Sequence, residues 1–374
     1  MAEITLRPIP QAPTAGATRA AEWPRLGIRW VALLGLLGAL AGMFVLSLTL
    51  GSVDIPLGDV LKILVGEEPA RKTWTTIVLK FRLPKAITAT LAGSALAVAG
   101  LQMQTLFRNP LADPFVLGIN SGASLGVALV VLSVGVAGVS ATSMLAGLGL
   151  LGNFGLVVAA STGAGLVLGL MLLVAQRVRS TATLLILGLM VGYATAALVS
   201  LMLYFSITER IQSYINWTFG SFGGVTWNQL HVLAPVILVA LGLGLALAKP
   251  LNALLLGETY AQTMGVNVRR TRLVILLSAA VLAGAVTAFC GPIGFLGVAV
   301  PHLARNLFRS SDHRLLLPAC ALMGALLALV ADLIAQMPGT QTVLPLNAVT
   351  ALLGAPVVAW VILRRSSVRP SYSG

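Results

Sequence analysis

Residues 257–290 read "GETYAQTMGVNVRRTRLVILLSAAVLAGAVTAFC". From Leu273 to Cys290 no side chain is charged, and a helix of about that length crosses most of the ~30 Å hydrocarbon core of a bilayer. Arg269, Arg270 and Arg272 stand immediately before it. Lysine and arginine collect on the cytoplasmic side of membrane proteins, so this run enters the bilayer from the cytosol, and the polar, glycine-bracketed segment ahead of it is cytosolic.

The whole chain follows the same pattern. Its 374 residues are 57% hydrophobic and 9% charged, with a mean hydropathy of +0.96. That composition excludes a water-soluble domain with an ordinary surface. Uncharged runs of helical length recur from end to end and strand-like alternation does not, so the fold class is an all-α polytopic membrane protein. Ten spans are expected, at 30–50, 86–107, 116–139, 154–175, 184–207, 230–248, 273–290, 292–307, 315–337 and 344–363. The stretch 144–175 is too long for one helix, and its first part is a candidate periplasmic cap. Residues 1–27 read as a disordered cytoplasmic segment, 28–365 as the membrane domain and 366–374 as a cytoplasmic tail. The first span has no small-residue cleavage site after it and is not read as a signal peptide. Cys290 and Cys320 fall inside apolar spans, where a free thiol behaves as a small hydrophobe, and neither is assigned a disulfide or a metal.

The net charge of +13 does not point to nucleic acid, because no basic stripe with interleaved aromatics exists. With ten spans and a cytosolic N-terminus, 17 of the 24 lysines and arginines fall inside, and both termini are cytoplasmic. Six of the seven outside positions crowd between the first two spans: Lys62, Arg71, Lys72, Lys80, Arg82 and Lys85. Lipid headgroup contact, with partial cancellation by Asp54, Asp59, Glu67 and Glu68, is one reading; a docking surface for an acidic external partner is the other. Pro84 suits the first turn of a helix, which places Arg82 and Lys85 one turn apart, both facing outward.

Between Gly257 and Gly265 the residues favour a short helix, with Glu258 at its positive end and Gly265 as a C-cap. A solvated linker helix is the plain reading, and a rigid projecting knob the functional one. The chain has no Walker A pair, since none of its lysines follows a glycine, and its spans are not threaded with ionisable groups. Asp332 is the clear intramembrane carboxylate, within i+4 reach of Gln336. A transport-sized bundle without its own energy module needs an ATPase from outside, and a cytosolic knob is where such force would enter. A self-powered secondary carrier is the rival reading.

Six ordered segments carry a family resemblance: "FRLPKAITATLAGSALAVAG" (81–100), "QTLFRNPLADPFVLGINSGAS" (104–124), "INWTFGSFGGVTW" (215–227), "LLLGETYAQTMGV" (254–266), "GPIGFLGVAVPHLAR" (291–305) and "LPLNAVTALLGAPVV" (344–358). Over about residues 30–365 the chain resembles the FecCD-type permeases, membrane subunits of binding-protein-dependent (type II) ABC importers for iron-siderophores, haem or cobalamin. The resemblance implies a ten-helix subunit of the bacterial inner membrane, paired with a second copy or a close homologue. Two ATP-binding cassette subunits would hold ATP and Mg below it, and a periplasmic or lipid-anchored binding protein would sit above. No cofactor, metal or catalytic residue is expected in this chain. The resemblance puts Gly257, Glu258, Ala261 and Gly265 in the ATPase-coupling helix, Ser180, Thr181 and Thr183 in the cytoplasmic gate, and Arg82 and Lys85 in binding-protein docking. For the hydroxyl run, a plain helix start is the alternative. An iron chelate, ferric siderophore or haem, is the expected cargo, with cobalamin as the alternative.

The sequence departs from the family at Gln336, where Arg is common, at Val343, where Glu is usual, and at Asn347, where Gly is usual. "LAGSALAVAG" at Leu91 and "LAGAVTAFCG" at Leu282 share their spacing, through an inverted repeat or through the general use of small residues at packed faces. His302 lacks metal-ligand company and reads as structural or as an ATPase contact. Tyr214, Trp217 and Trp227 are expected in an external interfacial belt.

Overall fold

The computed structural model describes residues 23–132, 153–178, 180–339 and 342–366. Among them every regular element is helical. In chain order these are α1 (Trp23–Thr49), α2 (Leu57–Val65), α3 (Lys72–Thr76), α4 (Leu83–Leu106), α5 (Ile119–Leu132), α6 (Asn153–Arg177), α7 (Thr181–Tyr204), α8 (Thr208–Thr218), α9 (Trp227–Ala246), α10 (Ala248–Leu256), α11 (Glu258–Thr263), α12 (Val268–Cys290), α13 (Leu296–Phe308), α14 (His313–Gln336) and α15 (Leu346–Ser366). Seven helices among the described residues are long and apolar enough to cross a membrane. Helices α5 and α15 are shorter apolar helices and α13 is shorter still. Together these ten match the ten expected spans in order. The proposed cap, 144–152, and the far part of the third span lie outside the described residues, as do residues 1–22 and 367–374. Helix α1 begins at Trp23, inside the segment expected to precede the membrane domain.

Helix α4 is the hub. In its continuous helix, Lys72–Leu106, 83% of the apolar window is buried, against 17% in α1 and 22% in α7. A helix apolar on every side can be buried on every side, and α4 packs on α9, α12, α13 and α14. Between apolar helices in lipid, close backbone approach and hydrogen bonds replace the hydrophobic drive. Both devices are present on α4. A Cβ on Gly93 would overlap Gly324 of α14, and one on Gly100 would overlap the Gly297 carbonyl of α13. Polar side chains then tie α12, α13 and α14 to it. Ser94 Oγ donates to Ala321 O at 2.9 Å, Gln102 Nε2 to Ser278 Oγ at 3.1 Å and Gln104 Nε2 to Val298 O at 3.1 Å. Thr105 Oγ1 and His313 Nε2 lie 2.8 Å apart. Cys290 and Cys320 are free and buried.

The two "Leu-Ala-Gly" stretches have different local jobs. Gly93 and Gly100 seat helices, whereas Gly291 has φ +76° and ends α12 against the Trp217 carbonyl.

At the outer end, α3 passes into α4 through a π-helical turn, Ile77–Arg82. A π turn widens the ladder and frees carbonyls. Trp227, one of the three residues expected in an interfacial belt, donates from Nε1 to the freed Leu79 O at 2.8 Å. Tyr214 corrects that reading: it is 7% exposed, and packs toward Trp217 with ring centroids 6.2 Å apart. The cause is the amphipathic α8, whose inward side carries it.

At the inner end, the expected boundary between the second and third spans is a folded-back segment. After Arg108 (φ +48°), Asn109 Oδ1 accepts from Leu111 N at 3.0 Å. Asp113 Oδ1 then accepts from Phe115 N at 2.9 Å, starting the 3₁₀ turn Pro114–Leu117. His302 Nε2 lies 2.8 Å from Pro110 O, so this histidine is buried as a staple for the fold-back.

Candidate functional site

The polar segment forms the expected short helix. Gly257, at φ +123°, turns the chain from α10 into α11, and Arg108 Nη2 donates to Leu254 O at 3.1 Å beside it. At the other end Val266 N donates to Ala261 O at 3.0 Å and Gly265 N to Gln262 O at 2.9 Å, with Gly265 at φ +83°. This is a Schellman termination, the arrangement that favours glycine. Glu258 opens α11 and holds Arg272 Nη2 at 2.8 Å. Tyr260 (54%) and Met264 (59%) are exposed on the helix. Ala261, also expected in the coupling helix, is fully buried against the protein.

The hydroxyl residues expected at the gate lie next to this short helix. Ser180 Oγ accepts from Thr183 N at 3.3 Å and is the N-cap of α7. The helix-start reading of the hydroxyl run therefore holds locally. Thr183 is exposed, and the Thr181 side chain lies outside the described residues. Ser180 and Ala182 face Gly257, Glu258, Thr259 and Tyr260 across a cleft of about 630 Å³, with Arg108 at its back. The structure thus brings the positions expected for coupling and for gating, more than 70 residues apart in sequence, to one cleft.

On the outer side the basic pair is not exposed as expected. Arg82 is 9% exposed. Its Nη1 donates to Leu48 O and Thr49 O, each at 2.8 Å, and its Nη2 donates to Val53 O. The π turn aims the guanidinium inward, where it caps the carbonyls that α1 leaves open. Lys85 Nζ pairs with Asp332 Oδ1 at 3.1 Å, and Gln336 Nε2 donates to Asp332 Oδ2 at 2.7 Å. The i+4 contact of Gln336 was legible in sequence; the lysine was not. Lys62, Arg71, Lys72 and Lys80 remain exposed. Asn347, one of the departures, joins two loops: its Oδ1 accepts from Gly294 N at 3.1 Å and its N donates to Phe219 O at 3.0 Å.

Sequence reasoning missed two residues here. Arg108 and Arg272 read only as cytosolic positive charge, because nothing local announces a partner 146 or 94 positions away.

A bundle with seven helices long and apolar enough to cross a membrane, and a short braced helix beside a capped helix start, has the form of a transporter's membrane subunit. Residues 39–364 match the FecCD transport family, and the chain belongs to it as a permease of the type II ABC importers. It is similar to the vitamin B12 import system permease protein BtuC of Shigella boydii serotype 18, 36% identical over 352 residues. That match covers 93% of this chain and 98% of the relative. The BtuC of Salmonella typhi is 36% identical over 347 residues, with the same coverage. Among solved structures it resembles an inward-facing conformation of a transporter assigned to the metal-chelate ABC type. The TM-score is 0.76 at 28% identity, covering 89% of this chain and 99% of the other.

Proposed function

We propose that this permease moves a metal chelate inward across the bacterial inner membrane, with both its termini in the cytosol. Force arises from ATP and Mg on two ATP-binding cassette subunits, and cargo arrives from a periplasmic or lipid-anchored binding protein. A second copy or close homologue completes the pathway. The observation that carries this reading is α11: short, braced at both ends, exposed through Tyr260 and Met264, and set across the cleft from Ser180. Such a knob can transmit a push because it has little freedom to absorb one. Gly257 and Gly265 provide its two turns, Glu258 its brace and Ala261 its seat, while Ser180, Thr181 and Thr183 start the gate helix.

The secondary-carrier rival loses support from Asp332, whose carboxylate is already met by Lys85 and Gln336. For the cargo, the vitamin B12 permeases among the relatives favour a corrinoid, and the family resemblance equally admits a ferric siderophore or haem. The test is uptake in proteoliposomes with the ATPase and binding protein, offering labelled cobalamin, ferric siderophore and haem in turn. Uptake of one chelate that needs ATP supports the reading; uptake that persists without the ATPase and stops with ionophores overturns it. In the same system Tyr260→Glu with Met264→Glu is expected to cut transport at least about tenfold by disfavouring a close ATPase contact. The permease should still insert and run as a single species on size exclusion.

A further inference from the structure

Arg272 links the coupling helix to the gate, and we infer that it is the positioning residue through which motion of α11 reaches α7. This rests on the coupling and gate assignments proposed above.

Arg272 is the fifth residue of α12 and is 7% exposed, although it stands at the cytosolic end of a span. One guanidinium holds two segments at once. Its Nη2 lies 2.8 Å from Glu258 Oε1, at the first residue of α11. Its Nη1 donates to Val178 O at 3.3 Å, just past the end of α6 and two residues before Ser180, the N-cap of α7. Arg269, nearly one turn earlier on α12, donates from Nη2 to Gln176 O at 3.0 Å. Two arginines of α12 thus fix the open carbonyls at the end of α6.

The planar fork of arginine can serve a carboxylate and a carbonyl at once in a fixed geometry, which a lysine ammonium on a flexible stem cannot. A displacement of α11 therefore pulls Glu258, then Arg272, then Val178, two positions before the Ser180 cap on the first turn of α7. The cleft lined by Gln176, Arg177, Val178, Glu258, Gln262 and Arg269 gives these parts room to shift. Without this bridge α11 could follow the ATPase while α7 stayed where it was.

The test uses the assembled transporter with Thr183→Cys as reporter; the native Cys290 and Cys320 are buried and give little background. The reporter's thiol labelling is measured with and without trapped nucleotide, together with substrate moved per ATP hydrolysed. In Arg272→Lys and in Glu258→Gln, the nucleotide-dependent change in labelling is expected to shrink and transport per ATP to fall about tenfold, the scale of a typical coupling energy. Arg272→Lys keeps the charge, so it remains available should a neutral variant fail to assemble. An unchanged labelling response and unchanged transport per ATP in both variants overturn the link. If the reporter fails to respond to nucleotide in the parent protein, the gate assignment itself falls and takes the link with it.

Discussion

Asp332 shows how one residue's meaning depends on who reaches it. In the sequence it is a carboxylate in an apolar span, which Gln336 at i+4 could satisfy, and the rarer reading is a proton carrier. In the fold it is 4% exposed and held by Lys85 and Gln336. Breaking a buried pair leaves an uncompensated charge and costs roughly 3–5 kcal/mol, whereas removing both charges costs far less. Lys85→Met is therefore expected to lower the thermal stability of the detergent-solubilised protein markedly. Lys85→Met with Asp332→Asn should recover most of the loss, as read by fluorescence-detected unfolding. A similar loss in the double variant would mean that packing, not charge, governs the site.

Among the elements, α4 has the most demanding surroundings. Its polar residues Ser94, Gln102, Gln104 and Thr105 bond three neighbouring helices, α12, α13 and α14, and its glycines let backbones touch. Gly100→Leu is expected to prevent assembly, since the obstacle is the Gly297 backbone and not a side chain that could rotate away. A folded yield like that of the parent on size exclusion would refute the close crossing. Gly165→Leu makes the control, because its Cβ direction opens into empty space. The short elements explain what the sequence hid. Helices α2, α8 and α10 are too short or too polar to announce themselves by hydropathy, and they form because neighbouring spans give them a face to bury.

For the whole molecule the question is where each side meets its partners. On the outer face the charge available to an acidic binding protein is at Lys62, Arg71, Lys72 and Lys80, since Arg82 is turned inward. Exposed charges chiefly set encounter rate and weaken as the Debye length falls to ~3 Å at 1 M salt. Lys72→Glu with Lys80→Glu should slow binding-protein association several-fold at low salt and little at high salt, measured by surface-immobilised kinetics. Arg82→Glu is expected to act differently, loosening the cap on α1 and lowering stability. Equal, salt-independent effects from both changes would count against this division of labour.

The sequence by itself determined the class of fold, the order of the spans, the placing of positive charge beside them and the short braced helix at 257–265. Each of these rests on a local property: hydropathy over a span's length, charge beside a span, glycine where the backbone must turn. Only the tertiary structure decided that Arg82 and Ala261 face inward, that Lys85 answers Asp332, and that Arg272 joins α11 to the approach of α7. Those pairings join residues dozens to hundreds of positions apart. In an apolar medium a polar side chain must find whichever partner the packing of helices brings near, and that packing is a property of the bundle and not of any one segment.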